Sequence, residues 1–162
     1  MSGTEEDRRR ALEYFQQAYE KQMSGELDEA IELYRRSIEL HPTAEAHTFL
    51  GWTYSFQGWL DEAIAECHKA IAVDPDFGNP YNDIGAYLIQ QGQFDAAIPW
   101  LERAMSAKRY EARAYPHMNL GRVWEHQGKI QDAMREYREA LEEAPRYVEA
   151  YRALKRLESR LN

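Results

Sequence analysis

The side chains best equipped for chemistry are few. His41, His47, His68, His117 and His126 are the five imidazoles, and Cys67 is the one thiol. A metal site needs ligands of this kind converging at a defined spacing. No such spacing is present, and the histidines fall on different predicted helices or turns. His117 and His126 share one helical stretch and would meet only if it bent strongly. All five are read as packing or surface residues. Cys67 sits in an apolar register and is expected to face inward as a small hydrophobe. No glycine-rich phosphate loop occurs, because the glycines are spaced by helix architecture. No nucleophile, base and orienting group appear together. No catalytic residue, metal ligand or cofactor site is therefore assigned, and an enzyme is the last reading. Glu5-Glu6-Asp7 followed by Arg8-Arg9-Arg10 is rich in charge. Its opposite signs neutralise, as on an exposed helix face with i,i+4 pairs.

A repeated frame positions these residues. Gly58-Trp59-Leu60-Asp61-Glu62-Ala63-Ile64 reads as a hinge between two helices. It recurs as Gly25-Glu26-Leu27-Asp28-Glu29-Ala30-Ile31, as Gly92-Gln93-Phe94-Asp95-Ala96-Ala97-Ile98 and as Gly128-Lys129-Ile130-Gln131-Asp132-Ala133-Met134. The glycines stand 33, 34 and 36 residues apart. A period of this size marks stacked repeats. Each glycine can end a helix in the left-handed conformation. The apolar residue two places on plugs the turn. Asp28, Asp61 and Asp95 are expected to cap or electrostatically favour the next helix. Gln131 replaces that aspartate in the fourth copy, so a less firm start is expected there.

The predicted helices follow in pairs. Thr4-Glu5-Glu6-Asp7 reads as a cap with an acidic first turn, and a helix runs on to about residue 23. Helices over 28–40, 44–56, 61–73, 80–90, 95–107, 116–126, 132–143 and 148–161 come next. Pro42, Pro75 and Pro145 end second helices. Pro80 suits a first turn, and Pro99 is expected to be tolerated for the same reason. Residues 106–113 carry two extra positions and lack the terminating proline, which predicts a longer second helix or a reshaped connection. Arg152, Lys155, Arg156 and Arg160 are placed on the outer side of the last helix, as solubility requires of a terminal cap.

Composition narrows the partners. With 162 residues and 12% aromatics, the chain fits one ordinary domain or a short solenoid. A net charge of −8 argues against nucleic acid as the main partner. Residues 11–78 are acidic and residues 148–162 mildly basic. A single cysteine allows no intrachain disulfide, so a reducing, cytoplasmic setting is expected. No apolar run approaches the roughly 20 residues that span a bilayer, so membrane insertion is not expected. The polar stretch 1–10 does not read as a secretory signal.

On these residues the chain resembles the tetratricopeptide-repeat family. The second repeat offers His47, Leu50-Gly51, Tyr54, Gly58, Ala63, Cys67, Ala70 and Pro75. The third offers Tyr81, Ile84-Gly85, Leu88, Gly92, Ala97, Leu101 and Ala104, and the fourth His117, Leu120-Gly121, Trp124, Gly128, Ala133, Tyr137, Ala140 and Pro145. The first is weaker at its start but keeps Gly25, Ala30, Tyr34 and Pro42. The resemblance covers residues 11–161. It implies an all-α, right-handed α-solenoid of four helix-turn-helix repeats (11–43, 44–77, 78–113 and 114–147). An extension of the first helix (1–10) precedes them and a capping helix (148–162) follows. Small residues at Gly51, Gly85, Gly121, Ala63, Ala97 and Ala133 would let the helices of a repeat sit close.

The resemblance also implies a peptide segment of a partner protein bound in the concave groove lined by first helices. The expected partner-binding residues are Phe15, Tyr19, Trp52, Phe56, Asn79, Asn82, Asp83, Tyr115, Asn119 and Arg122. Trp, Tyr and Arg dominate binding hot spots, and Asn can hold a peptide backbone as both donor and acceptor. The Lys/Asn carboxylate clamp of some co-chaperone members is disfavoured. Phe15, Tyr19, Phe49, Asn79 and Asp83 stand at its positions. A frame one repeat later gives Thr48, Trp52, Asp83, Tyr115 and Asn119, which also lacks the cations. The expected function is thus a non-enzymatic protein-protein interaction adaptor. The alternatives are a self-assembling scaffold, with Trp59 and Trp100 as spare aromatics, and a secretion-type chaperone for an unstable client. Self-association stays open.

Overall fold

The structure, a computed structural model, describes residues 4–161. Among these stand α1 (Glu5–Met23), α2 (Leu27–Leu40), α3 (Ala44–Phe56), α4 (Leu60–Val73), α5 (Asn79–Gln90), α6 (Phe94–Ser106), α7 (Ala114–His126), α8 (Ile130–Glu143) and α9 (Val148–Arg160). The architecture is an all-α solenoid. Met1–Gly3 of the predicted extension and Asn162 of the predicted cap lie outside the described residues. Thr4 begins α1 with a reciprocal capping box. Its hydroxyl accepts from the Asp7 N–H at 3.0 Å, and its own N–H donates to the Asp7 carboxylate at 3.3 Å.

The hinges are alike to within a few degrees. Gly25, Gly58 and Gly92 have φ 80° and Gly128 has φ 78°. Each turn closes by the same pair of backbone bonds. At the second hinge the Gly58 N–H reaches the Ser55 carbonyl, and the Trp59 N–H reaches the Tyr54 carbonyl, both at 3.0 Å. This is the Schellman arrangement, which satisfies orphan carbonyls at the helix end.

The hinge aspartates do not cap by side chain, but they stand in the first turn where a negative charge favours the helix start, and they also do something the sequence does not suggest. Glu26, Trp59, Gln93 and Lys129 occupy the N-cap positions, and no side chain caps there. Asp28, Asp61 and Asp95 lie inside the first turn instead. Each accepts a bond from the glutamine that caps the end of the following helix: Gln57 to Asp28 at 3.5 Å, Gln91 to Asp61 at 2.8 Å, and Gln127 to Asp95. The aspartates therefore tie one hinge to the next. In the fourth hinge Gln131 takes this position, and no fifth hinge follows within the described residues. There α8 begins in the same register as α2 and α4, because the glycine turn sets the start.

Packing within the α3–α4, α5–α6 and α7–α8 pairs depends on missing atoms. A Cβ on Gly51 would lie 2.9 Å from the Ala63 carbonyl oxygen. One on Gly85 would overlap Leu101, and one on Gly121 would overlap the Tyr137 ring. Ala63, Ala97 and Ala133 are fully buried opposite them, as is Cys67.

Three placements differ from expectation. Pro99 sits past the first turn of α6, inside the helix. Its missing N–H therefore leaves the Asp95 carbonyl without its usual partner. Trp100 is no spare aromatic: it packs on His68 at 5.2 Å and Tyr81 at 6.2 Å, beneath Arg103. Trp59 remains half-exposed and leans on Tyr54. On α9, Arg156 turns back to pair with Glu125 of α7 at 2.6 Å, while Val148 and Tyr151 share the outer surface.

Two histidines hold equivalent places. His47 Nδ1 lies 3.2 Å from Glu66, and His117 Nδ1 lies 2.7 Å from Glu136. Burial pushes the Glu66 carboxyl up, but the bonds to His47 and Lys69 outweigh it and hold the carboxyl low. The Glu136 bond holds the His117 imidazole above its ordinary range. His126 stacks on Phe94 at 3.7 Å.

Two outcomes test this account by thermal melting. Asp61→Ala should cost about 0.5–1 kcal/mol, while Asp61→Asn, which still offers an acceptor, should retain most of the stability. An equal loss in both would return Asp61 to a charge role at the helix start. Ala63→Leu should cost about 1–3 kcal/mol by overpacking. A melting temperature unchanged within 1 °C, on the order of the error in such scans, would contradict the close approach.

Candidate functional site

Alternation of the helices creates the candidate site. The first helices α1, α3, α5 and α7 touch one another in succession and form an inner layer. Each second helix backs its own partner from outside. The side chains on the free side of the inner layer therefore share one face, the groove side.

Its N-terminal wall is aromatic. Phe15 and Tyr19 of α1 meet Phe49 of α3 edge-on at 5.3 and 5.8 Å. Phe49 meets Trp52 at 5.8 Å, and Trp52 meets Phe56 at 5.1 Å. Tyr34 backs Phe15 at 5.6 Å and anchors the row to the core. Edge-to-face contacts of this kind fix ring orientation. Tyr19 and Phe56 keep large exposed surfaces.

The row opens into a central cleft of about 380 Å³. Thr48, Phe49 and Trp52 come from α3, Asn79, Asn82 and Asp83 from α5, and Tyr115 from α7. Tyr110 and Ala112 complete it from the segment between α6 and α7. This segment is where the two-residue insertion lies. The connection is reshaped and α6 is not lengthened. Arg109 pairs with the 74–78 turn as a single parallel bridge: its N–H reaches the Asp76 carbonyl at 2.9 Å, and its carbonyl accepts from Gly78 at 3.0 Å. The Arg109 guanidinium lies over the Phe77 ring at 4.2 Å and pairs with Asp74 at 2.8 Å and Glu45 at 3.3 Å. Its neighbour Tyr110 is buried against Gly78, where a Cβ would strike the ring. Arg113 bonds the Ala107 carbonyl at 2.8 Å and the Met105 carbonyl, closing the end of α6.

Trp52, Asn79, Asn82, Asp83 and Tyr115 thus meet at the cleft, and Phe15, Tyr19 and Phe56 extend from it as the aromatic row. Asn119 and Arg122 are used differently from expectation. The Asn119 amide donates to Asn82 Oδ1 at 3.0 Å, and Asn119 Oδ1 accepts from Arg122 at 2.9 Å. Arg122 also donates to Glu149 of α9 at 3.1 Å. Asn82 and Asn119 are buried. The chain Asn82–Asn119–Arg122–Glu149 stitches α5, α7 and α9 along the groove floor, so much of its bonding capacity is already spent. Phe49, Tyr110 and Ala112 also line the cleft and are not among the expected partner-binding residues. The irregular repeat spacing was the available signal for Tyr110 and Ala112.

Asp83 is the one acid of this site whose titration is displaced far. Burial pushes its carboxyl up from 3.8 to about 7, and the Asn82 amide bond only partly opposes this. Cys67, Tyr87 and Tyr110 are the titratable neighbours, and burial raises all three. No ion pair to Asp83 forms among the described residues. In the unfolded chain Asp83 ionises near its ordinary value, whereas the folded chain holds the proton to about 7. Stability from this group is full below the unfolded value and falls as pH rises through that window. Asp83→Asn should therefore raise the melting temperature at pH 8 by several degrees and leave it nearly unchanged at pH 4, roughly as linkage requires. A gain independent of pH would show that the carboxyl is not strained.

Comparison with known proteins agrees with this geometry. Two family models, both described as tetratricopeptide repeat, match residues 44–77 and 88–158. The chain is 33% identical over 70 residues to small glutamine-rich tetratricopeptide repeat-containing protein 2 of Mycosarcoma maydis. That match covers 43% of this chain and 20% of the relative, so the chain spans about a fifth of that relative's length. It is 26% identical over 119 residues to the photosystem I assembly protein Ycf3 of Prochlorococcus marinus, covering 67% and 69% of the two chains. Among solved structures, Pseudomonas aeruginosa pilF superposes with TM-score 0.87 at 22% identity, over 94% of this chain and 69% of that one. YrrB, described as a tetratricopeptide-repeat protein with an unusual peptide-binding site, superposes with TM-score 0.68 at 22% identity, over 92% and 76%. At these identities the superpositions show the fold alone. Both family models fall on the helix pairs whose turns, glycine contacts and inner layer are described above, and the chain belongs to the tetratricopeptide-repeat family.

Proposed function

We propose that this protein is a non-enzymatic adaptor that holds a peptide segment of a partner protein in its concave groove. The observation that carries this reading is the unbroken aromatic row from Phe15 to Trp52, opening into a cleft on the inner layer. Phe15, Tyr19, Trp52, Phe56, Asn79, Asp83 and Tyr115 would touch the segment. Asn82, Asn119 and Arg122 would hold the floor on which it lies. A preformed groove lowers the ordering cost of binding an extended partner. YrrB has a peptide-binding site and Ycf3 is an assembly protein, and both support a protein partner for this fold. A reducing, cytoplasmic setting suits the single buried thiol, Cys67.

A second reading is self-assembly through α9, whose outer surface exposes Val148 and Tyr151 beside its basic residues. Light scattering across concentration separates the two, since a strict monomer removes it.

The adaptor reading predicts that Trp52→Ala weakens a purified partner segment by roughly tenfold or more, the scale of a hot-spot loss. The melting temperature should move little. Isothermal titration and a melt on the same variant check this. Undiminished affinity with a melt lowered by many degrees would assign Trp52 to packing.

A further inference from the structure

We infer that the central cleft receives an arginine side chain of the bound segment, with the Asp83 carboxylate as its counter-ion and the surrounding rings as its walls. This rests on the adaptor reading and adds to it the chemical identity of one bound residue. Phe49, Trp52, Tyr110 and Tyr115 line the same cleft as Asp83. Aromatic faces carry negative charge density and attract cations, guanidinium above all. A cleft lined by four aromatic side chains and one carboxylate, with no cation in its lining, favours a positively charged guest.

The nearby cations leave that preference intact. Arg109 is held by Asp74 and Glu45, Arg113 by carbonyls at the end of α6, and Arg122 by Glu149 and Asn119. Among the described residues none pairs with Asp83. An anionic guest would meet the carboxylate, and an apolar one would bury it further without a partner, which is costly. A guanidinium supplies the missing charge and a planar fork that can meet a carboxylate through two N–H donors. It is also weakly hydrated and stacks on rings, which suits a walled cleft better than an ammonium does.

Proton linkage follows from the same geometry. Tyr115 of α7 lines the same cleft as Asp83. The groups whose shifts couple to Asp83 are Cys67 from α4, Tyr87 from α5 and Tyr110 from the inserted loop, and burial moves each of them upward. Only Asp83, near 7, titrates in the neutral range among them. Arginine binding should therefore strengthen as pH rises from 5.5 to 8, by roughly tenfold or more, and then level off.

The test uses the full chain and N-acetyl-arginine methylamide as probe, with the citrulline analogue as the neutral isostere. Binding is read from the Trp52 indole and Asp83 amide resonances by NMR. The expected result is saturable shifts with the arginine probe that tighten with pH, and none with citrulline. Asp83→Asn should weaken the probe at least tenfold, and Trp52→Leu, which keeps an apolar wall but removes the ring, should weaken it several-fold. Equal binding of citrulline, unchanged binding to Asp83→Asn, or no shift at 20 mM probe, on the order of the weakest affinity such contacts give, would overturn the inference. The adaptor reading is tested separately. A partner segment without arginine that still needs Trp52 sinks the inference alone, whereas a partner indifferent to Trp52 sinks the adaptor reading even if the probe binds.

Discussion

Four glycines hold φ near +80°, and the direction of every following helix depends on them. Nothing crowds a Cβ at Gly25, Gly58, Gly92 or Gly128. The constraint is therefore backbone conformation and not space. A side chain in this region costs roughly 1–2 kcal/mol, and the two bonds of each Schellman turn form only there. Once the turn is set, the second helix must fold back on the first. Gly51, Gly85 and Gly121 then decide how closely it lies, and here the constraint is space. Two kinds of glycine thus do two different jobs in the same repeat.

Regular turns alone would stack identical pairs. The bonds between successive hinges, from Gln91 to Asp61 and its equivalents, add a link from each pair to the next along one edge. Near the opposite ends of the helices the connection between α6 and α7 breaks the regularity. Arg109 there binds the turn before α5 and Glu45 of α3 at once. The insertion becomes a strap across the preceding repeat, and Tyr110 is carried into the cleft by it. One irregular connection therefore makes the middle of the groove unlike its ends.

Electrostatic satisfaction is uneven in an informative way. Glu66 is buried yet partnered by His47 and Lys69, and its carboxyl stays low. Glu125 is likewise held low by Arg156, with the Tyr137 hydroxyl also donating to it. Asp83 has only the Asn82 amide and is pushed up. The two glutamates brace helices against each other. Asp83 stands where the inner layer opens to a cleft, which separates a group with a structural partner from one facing a site.

Period, hinge composition and proline placement sufficed to determine the helices and the all-α solenoid. Those signals are local: a left-handed turn, an apolar face and a helix stop are each written within a few neighbouring residues. The placement of Trp52, Asn79, Asp83 and Tyr115 on first helices came from the resemblance to the repeat family. What neighbouring residues could not decide was pairing across repeats. The hinge aspartates accept from glutamines about 30 residues on, as Asp61 does from Gln91. Asn119 donates to Asn82 across 37 positions, and Arg109 reaches Glu45 across 64. Only the stacked structure brings these groups within bonding distance, so only it could show that Arg122 is engaged, that Tyr110 lines the cleft and that Asp83 has no counter-ion among the described residues.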